Sequence, residues 1–182
     1  MKALLIFSIL FFSFSGWAKN PVVVIETNMG TLEVELNEEK APITVKNFLS
    51  YVDSKFYDGT IFHRVINNFM IQGGGMDEKM VEKKGRGPIK NEASNGLTND
   101  AGTIAMARTA DPDSATSQFF INVNDNSALN RPSPDGHGYA VFGKVISGMH
   151  IVNRIKMVKT GSIKGHSDVP MDTVLIKNIK RK

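Results

Sequence analysis

The stretch from Phe62 to Gly75 reads FHRVINNFMIQGGG, in which two short apolar runs carry Arg64, Gln72 and three successive glycines. An arginine inside a strand costs solvation unless its head reaches water or a partner. Its guanidinium is a rigid fork of charged donors, so the chemistry it suits is electrostatic stabilisation rather than proton transfer. Other chemistries find less support. Gly73-Gly74-Gly75 follows an apolar run but leads into MDEKMVEKK, without the third glycine that a dinucleotide fingerprint needs. The four histidines (His63, His137, His150, His166) lie far apart, and neither H-E-x-x-H nor G-x-S-x-G nor a phosphate loop occurs. With no cysteine in the chain, thiol nucleophiles, thiolate metal sites and thiol redox chemistry drop out. Glu33 and Glu35 could form an acid pair, but alternation places both on the solvent face of a hairpin. The remaining inventory is one arginine, a glutamine, aromatic and Met side chains, and glycines that permit close backbone approach.

The elements that must position these residues are mostly short strands. PVVVIETNMGTLEVELN reads as a hairpin: Val22 to Thr27 is rich in β-branched residues, Asn28-Met29-Gly30 is a turn, and Leu32, Val34 and Leu36 alternate with polar residues. The period then changes. Pro42 suits a first helical turn, and Val45, Phe48, Leu49, Val52 and Phe56 recur at helical spacing, which predicts a helix through Phe56 ended by Asp58-Gly59. Thr60 to Ile66 and Phe69 to Gln72 read as two strands, and Gly73 to Gly102 as a long loop of the kind that carries function. TIAMAR, QFFINV, YAVFGKVI and the late TVLIKNIK read as further strands, and MHIVNRIKMV as a short amphipathic helix. Many short strands with two helices predict a β-barrel or sandwich with helices packed on it. No internal repeat or interdomain linker breaks the pattern.

Composition bounds the class. The chain has 182 residues, 41% hydrophobic and 22% charged, which suits a single domain with one sizeable core. The net charge of +4 is spread along the chain and lacks the dense basic stripe that marks nucleic-acid binding. Residues 1–18 differ in kind. A positive start, the apolar run ALLIFSILFFSF and the small residues Gly16 and Ala18 have the layout of a secretory signal peptide cut between Ala18 and Lys19. An uncleaved anchor is the alternative, against which stands an apolar run shorter than the ~20 residues that cross a bilayer. The mature domain is then residues 19–182, located in the periplasm or outside the cell, with a core able to stand without disulfides.

Taken together, FHRVINNFMIQGGG, GTIAMAR, SQFFINV and GYAVFGKVISGM resemble the cyclophilin family of peptidyl-prolyl cis/trans isomerases. The resemblance runs over nearly all the mature chain in the family's order, and the signal peptide and short loops resemble the exported bacterial members. It implies a mainly β fold, a closed eight-stranded antiparallel barrel capped by two α-helices. It also implies an activity, isomerisation of X–Pro bonds in exported proteins. From the residues alone Arg64 reads as a solvated edge residue. The resemblance makes it the catalytic arginine, joined by Phe69 and Gln72. Met70, Ala107, Arg108, Gln118, Phe120, Leu129 and Tyr139 are then substrate-binding residues. His63 is a flanking member, for which a structural hydrogen-bonding role competes with a chemical one.

The chemistry fits that inventory. A peptide bond resists rotation by roughly 18–20 kcal/mol because the nitrogen lone pair is delocalised into the carbonyl. In the twisted transition state the lone pair is localised on the prolyl nitrogen. A guanidinium donor placed there stabilises the transition state more than either planar ground state. Phe69, Met70, Phe120 and Leu129 would grip the proline ring, while Gln72 and the backbone at Arg108 would fix the flanking carbonyls. No proton moves, so no cofactor or metal is expected. The implied partners are proline-containing polypeptides met while folding. No nucleic acid and no lasting membrane association is expected, and the chain is expected to be a monomer. A prolyl-peptide-binding chaperone with incidental turnover would use the same pocket. One position departs from the family: Ala128 stands where many relatives carry a tryptophan or another aromatic residue.

Overall fold

The computed structural model describes residues 19–182. The predicted cleavage site and signal peptide fall at or within residues 1–18 and lie outside the described residues. Among the described residues, ten strands and two α-helices follow in order: β1 Val22–Thr27, β2 Gly30–Leu36, α1 Pro42–Asp53, β3 Thr60–Ile66, β4 Met70–Asp77, β5 Thr103–Met106, β6 Phe119–Asn122, β7 Val141–Ser147, α2 Met149–Ile155, β8 Thr160–Ile163, β9 His166–Pro170 and β10 Leu175–Arg181. Eight of them close into an antiparallel barrel in the order β1-β10-β3-β4-β6-β5-β7-β2, while β8 and β9 pair separately as a hairpin.

Alternation drives this closure. Val23, Ile25, Leu32, Val34 and Leu36 are fully buried, and the residues between them face out. Glu33 and Glu35 are among those facing out: Lys182 Nζ lies 2.8 Å from Glu33 Oε2, and Lys144 Nζ 3.9 Å from Glu35 Oε2. Helix α1 lays Val45, Phe48, Leu49 and Val52 on the barrel core, and α2 adds Ile151, Val152 and Ile155 to the same cluster. Helix α1 has no capping side chain of its own at Ala41. Glu92 serves instead, accepting from the Ile43 and Thr44 backbone N–H groups and the Thr44 hydroxyl at 2.7–3.1 Å.

Two expectations need correction, and one element goes beyond them. The helix ends at Asp53 rather than Phe56, because Lys55 takes a left-handed φ of +55°; Phe56 then folds back, its ring 4.7 Å from that of Tyr51. The glycine run is strand rather than loop, since β4 continues through it to Asp77. A Cβ at Gly73 would lie 2.9 Å from the Ile61 carbonyl oxygen, and one at Gly74 (φ +82°) would meet the Phe119 and Tyr57 rings. Glycine is what lets this strand run so close to its neighbours. The β8–β9 hairpin, turned by Lys164 and Gly165 at φ +49° and +82°, was not expected at all.

Candidate active site

The barrel has a second apolar cluster on its outer face. Met70, Ala105, Phe120 and Val141 are buried there, with Phe69, Ala107, Leu129 and Tyr139 packed against them. On the same strands, Ile71, Ile104, Phe119, Ile121 and Phe142 point inward to the main core. Period-two alternation thus builds two apolar faces from one set of strands.

Register aligns the polar members. Arg64 pairs opposite Gln72 across β3 and β4, Gln72 opposite Phe120 across β4 and β6, and Phe120 opposite Ala105 across β6 and β5. These four form one transverse row on the outer surface. A bulge in β3 makes this possible. Phe62 and Val65 both face the core, and the register steps from Phe62 opposite Gly73 to Arg64 opposite Gln72, which leaves His63 as the extra residue. Without it, Arg64 would share the inward face of Phe62.

A cavity of about 190 Å³ opens over this row. Its buried floor is Met70 and Phe120, with Phe69, Leu129 and Tyr139 around it, the Tyr139 ring standing edge-on to Phe120 at 5.8 Å. Arg64, Gln72, Ala107 and Arg108 complete the wall. Nine of the eleven residues singled out from sequence therefore surround one space. Gln118 does not line it but sits behind, its Oε1 accepting from Gln72 Nε2 at 3.0 Å. His63 does not line it either. It is buried, with Nδ1 unpartnered, and burial, reinforced by the neighbouring His166 and Arg64 side chains, pushes its imidazole down to about 4. A larger cavity of about 400 Å³ lies near Asn20, Thr98 and Lys144, but it brings together no comparable set of apolar wall and charged donor.

The two arginines differ. Arg64 has a side chain 44% exposed; its nearest acid is Asp168, Nε to Oδ2 3.9 Å, and among the described residues it has no hydrogen-bond partner in the protein. Arg108 is tied down. Its side chain is 2% exposed, lies 4.4 Å over the Tyr139 ring, and donates to the Gly138 and Thr109 carbonyls and to both Asp135 oxygens at 2.7–3.0 Å. The Arg108 bond holds the Asp135 carboxyl below the usual range. Arg108 therefore braces the loop that carries Tyr139, and only Arg64 offers free charged donors to a ligand.

Sequence reading missed the support beneath the rim. Asn126 Nδ2 donates to the Phe69 carbonyl and to Asn122 Oδ1, both at 2.7 Å; Asn122 Nδ2 donates to Asn99 Oδ1 and Thr103 Oγ1; and the Asn99 amides donate to Asn130 Oδ1. Asn91 and Asn95 reach the Gly138 and Val141 carbonyls. The signal was there to read: asparagines fall at every fourth position in both segments, Asn91, Asn95, Asn99 and Asn122, Asn126, Asn130. Such spacing in loops points to side chains standing in for absent backbone partners.

Residues 22–181 match the family described as cyclophilin type peptidyl-prolyl cis-trans isomerase/CLD. The chain is 58% identical over 163 residues to a peptidyl-prolyl cis-trans isomerase of Acinetobacter baylyi, covering 90% of this chain and 86% of the relative. It is 53% identical over 160 residues to peptidyl-prolyl cis-trans isomerase B of Escherichia coli, covering 87% and 98%. Among solved structures, a cyclophilin-type isomerase of Cryptosporidium parvum, crystallised in the presence of the dipeptide Ala-Pro, superposes with a TM-score of 0.76 at 34% identity, covering 88% of this chain and 98% of its own. An outer-face pocket on a closed eight-stranded barrel, matched along almost the whole domain, makes this chain a member of the cyclophilin-type peptidyl-prolyl cis-trans isomerases.

Proposed function

We propose that this isomerase acts on proline-containing segments of exported polypeptides, with Arg64 as the catalytic donor and Phe69 and Gln72 beside it. The supporting observation is the row Arg64–Gln72–Phe120, which sets the one free guanidinium of the site against an apolar floor. The proline ring sits on Met70, Phe120 and Leu129, under the edge of Tyr139. Gln72, held by Gln118, orients the carbonyl before the proline, and the backbone at Ala107 and Arg108 guides the flanking chain. As the bond twists, Arg64 donates to the prolyl nitrogen where the lone pair collects. His63 acts from behind, as a buried neutral filler of the β3 bulge. The protein works as a monomer in the periplasm after removal of residues 1–18.

Arg64→Ala tests the reading. Isomerisation of a short X–Pro peptide falls on the order of 10²-fold if the donor is worth ~3 kcal/mol in the transition state. The melting temperature stays near wild type, since the side chain is half in water. Retained turnover would remove Arg64 from the chemistry. For the location, a mass-determined N-terminus at Lys19 in protein from its native host is expected, and an intact Met1 would overturn it.

A further inference from the structure

We propose that Asp168, on the β8–β9 hairpin, is a positioning residue that orients the Arg64 guanidinium for catalysis. This rests on the reading of Arg64 as the catalytic donor. The hairpin stands outside the barrel, with β9 packed beside β3. It carries Asp168 to within 3.9 Å of Arg64, Oδ2 to Nε.

Two irregularities face each other here. In β3 the extra residue His63 turns Arg64 outward. In β9 the register steps from Gly161 opposite Val169 to Ile163 opposite His166, so Ser167 and Asp168 stand against Ser162 alone. Bulges re-aim side chains, and each of these aims one member of the pair. Asp168 also holds φ at +61°, a left-handed conformation that glycine adopts freely and that, among other residues, aspartate and asparagine adopt most readily. The chain thus has a carboxylate at a position where glycine would fit the backbone better. Both side chains are more than 40% exposed, so the pair adds little to folding stability. A contact with little value for stability, kept at a left-handed position that glycine would fill more easily beside the proposed donor, is accounted for by its effect on that donor.

The geometry suits that effect. An arginine side chain has four rotatable bonds, and a free guanidinium samples many orientations. An acceptor on the Nε edge restrains the plane and leaves the Nη groups for substrate. At 3.9 Å the contact is longer than a hydrogen bond; under this proposal it shortens as the fork turns onto the prolyl nitrogen. Small misplacements of a catalytic donor are costly, up to about 10²-fold for ~1 Å.

The test uses Asp168→Gly and Asp168→Asn in the full mature protein. Asp168→Gly removes the carboxylate and relieves the backbone, so it folds at least as well as wild type. Its kcat for a short X–Pro peptide, measured by NMR exchange, falls about three- to tenfold with KM nearly unchanged. Asp168→Asn keeps an acceptor and tolerates the same φ, so it retains more kcat than Asp168→Gly. In an Arg64→Ala background Asp168→Gly has no further effect. Unchanged kcat in Asp168→Gly, alongside a large loss in Arg64→Ala, overturns the role of Asp168 and leaves that of Arg64 standing. An equal loss from Asp168→Gly with and without Arg64 also overturns it. Full turnover in Arg64→Ala would instead sink the reading on which this inference rests.

Discussion

Replacing Gly75 with alanine should damage the site without reaching it. Gly75 lies in β4, and its φ is outside the left-handed region, so alanine brings no backbone strain. What it brings is a Cβ within 2.6 Å of Gln118 Cδ and 2.7 Å of its Nε2, and closer still to Cγ. No pair of carbon atoms tolerates that approach, so the Gln118 side chain must swing away. It is only half-buried and has room to do so. The move breaks the 3.0 Å bond from Gln72 Nε2 to Gln118 Oε1, a part-buried hydrogen bond worth about 1 kcal/mol. For a domain of this size that lowers Tm by about 2–4 °C. Turnover should suffer more than folding. On the role proposed for Gln72, its release from Gln118 loosens the hold on the substrate carbonyl, and kcat/KM on a short X–Pro peptide should fall about five- to tenfold. Calorimetry gives the first number and NMR exchange the second. The decisive comparison is with Gln118→Ala, which removes both the obstacle and the bond. In that background Gly75→Ala should change kcat/KM by less than about twofold. An equal loss with and without Gln118, or wild-type turnover in Gly75→Ala alone, would refute this chain of contacts.

Three other outcomes are expected. Asn122→Ala strands the buried Asn99 Oδ1 and unhooks Asn126, which should cost roughly 2–3 kcal/mol and lower Tm by about 4–12 °C; a shift below about 1 °C would contradict the network. His63, at about 4 in the fold against about 6.5 unfolded, binds its proton more readily in the unfolded chain. Its neutral form therefore favours folding fully above pH 6.5, and that contribution, at most about 3 kcal/mol, is lost as pH falls to 4; urea titrations at pH 7 and pH 4 should show His63→Asn losing less stability than wild type over that range. Ala128 is exposed in the short helical turn Ser127–Leu129 beside the pocket, so Ala128→Trp, which adds apolar area at the rim, should tighten binding of proline-containing peptides long enough to reach it by about one to two orders of magnitude and leave kcat on a short X–Pro peptide unchanged; equal peptide affinity of both proteins would remove Ala128 from the rim.

What could be read from sequence follows physical range. The pairing of β1 with β2 and the buried face of α1 depend on residues within a few positions of one another, and their apolar periods showed directly. The site could not be read that way. Arg64, Gln72 and Phe120 meet only through strand register, and their assignment to one pocket came from the family resemblance. What neither route supplied was long-range or irregular. The His63 bulge inverts the face of Arg64 against simple alternation. The glycines of β4 look like a loop until the rings of Tyr57 and Phe119 are packed against them. The asparagine network joins segments about 23 to 57 residues apart, and β8–β9 are short, polar and half exposed, with no apolar period to betray them.

The sharing of β4, β5, β6 and β7 between an inner core and an outer pocket has a consequence for how this protein can vary. Odd and even positions of one strand answer to different demands, so a single substitution at Met70, Gln72 or Phe120 can reshape ligand preference while Ile71, Phe119 and Ile121 go on holding the barrel. The same strands are intolerant of a shift in reading. Loss of Ile71 would flip the residues on one side of the gap, sending the Gln72 amide to the barrel face that Ile71 now fills. Relatives with different client ranges should therefore differ by replacement within these strands, and their insertions and deletions should gather in the segments between them, where no parity has to be kept.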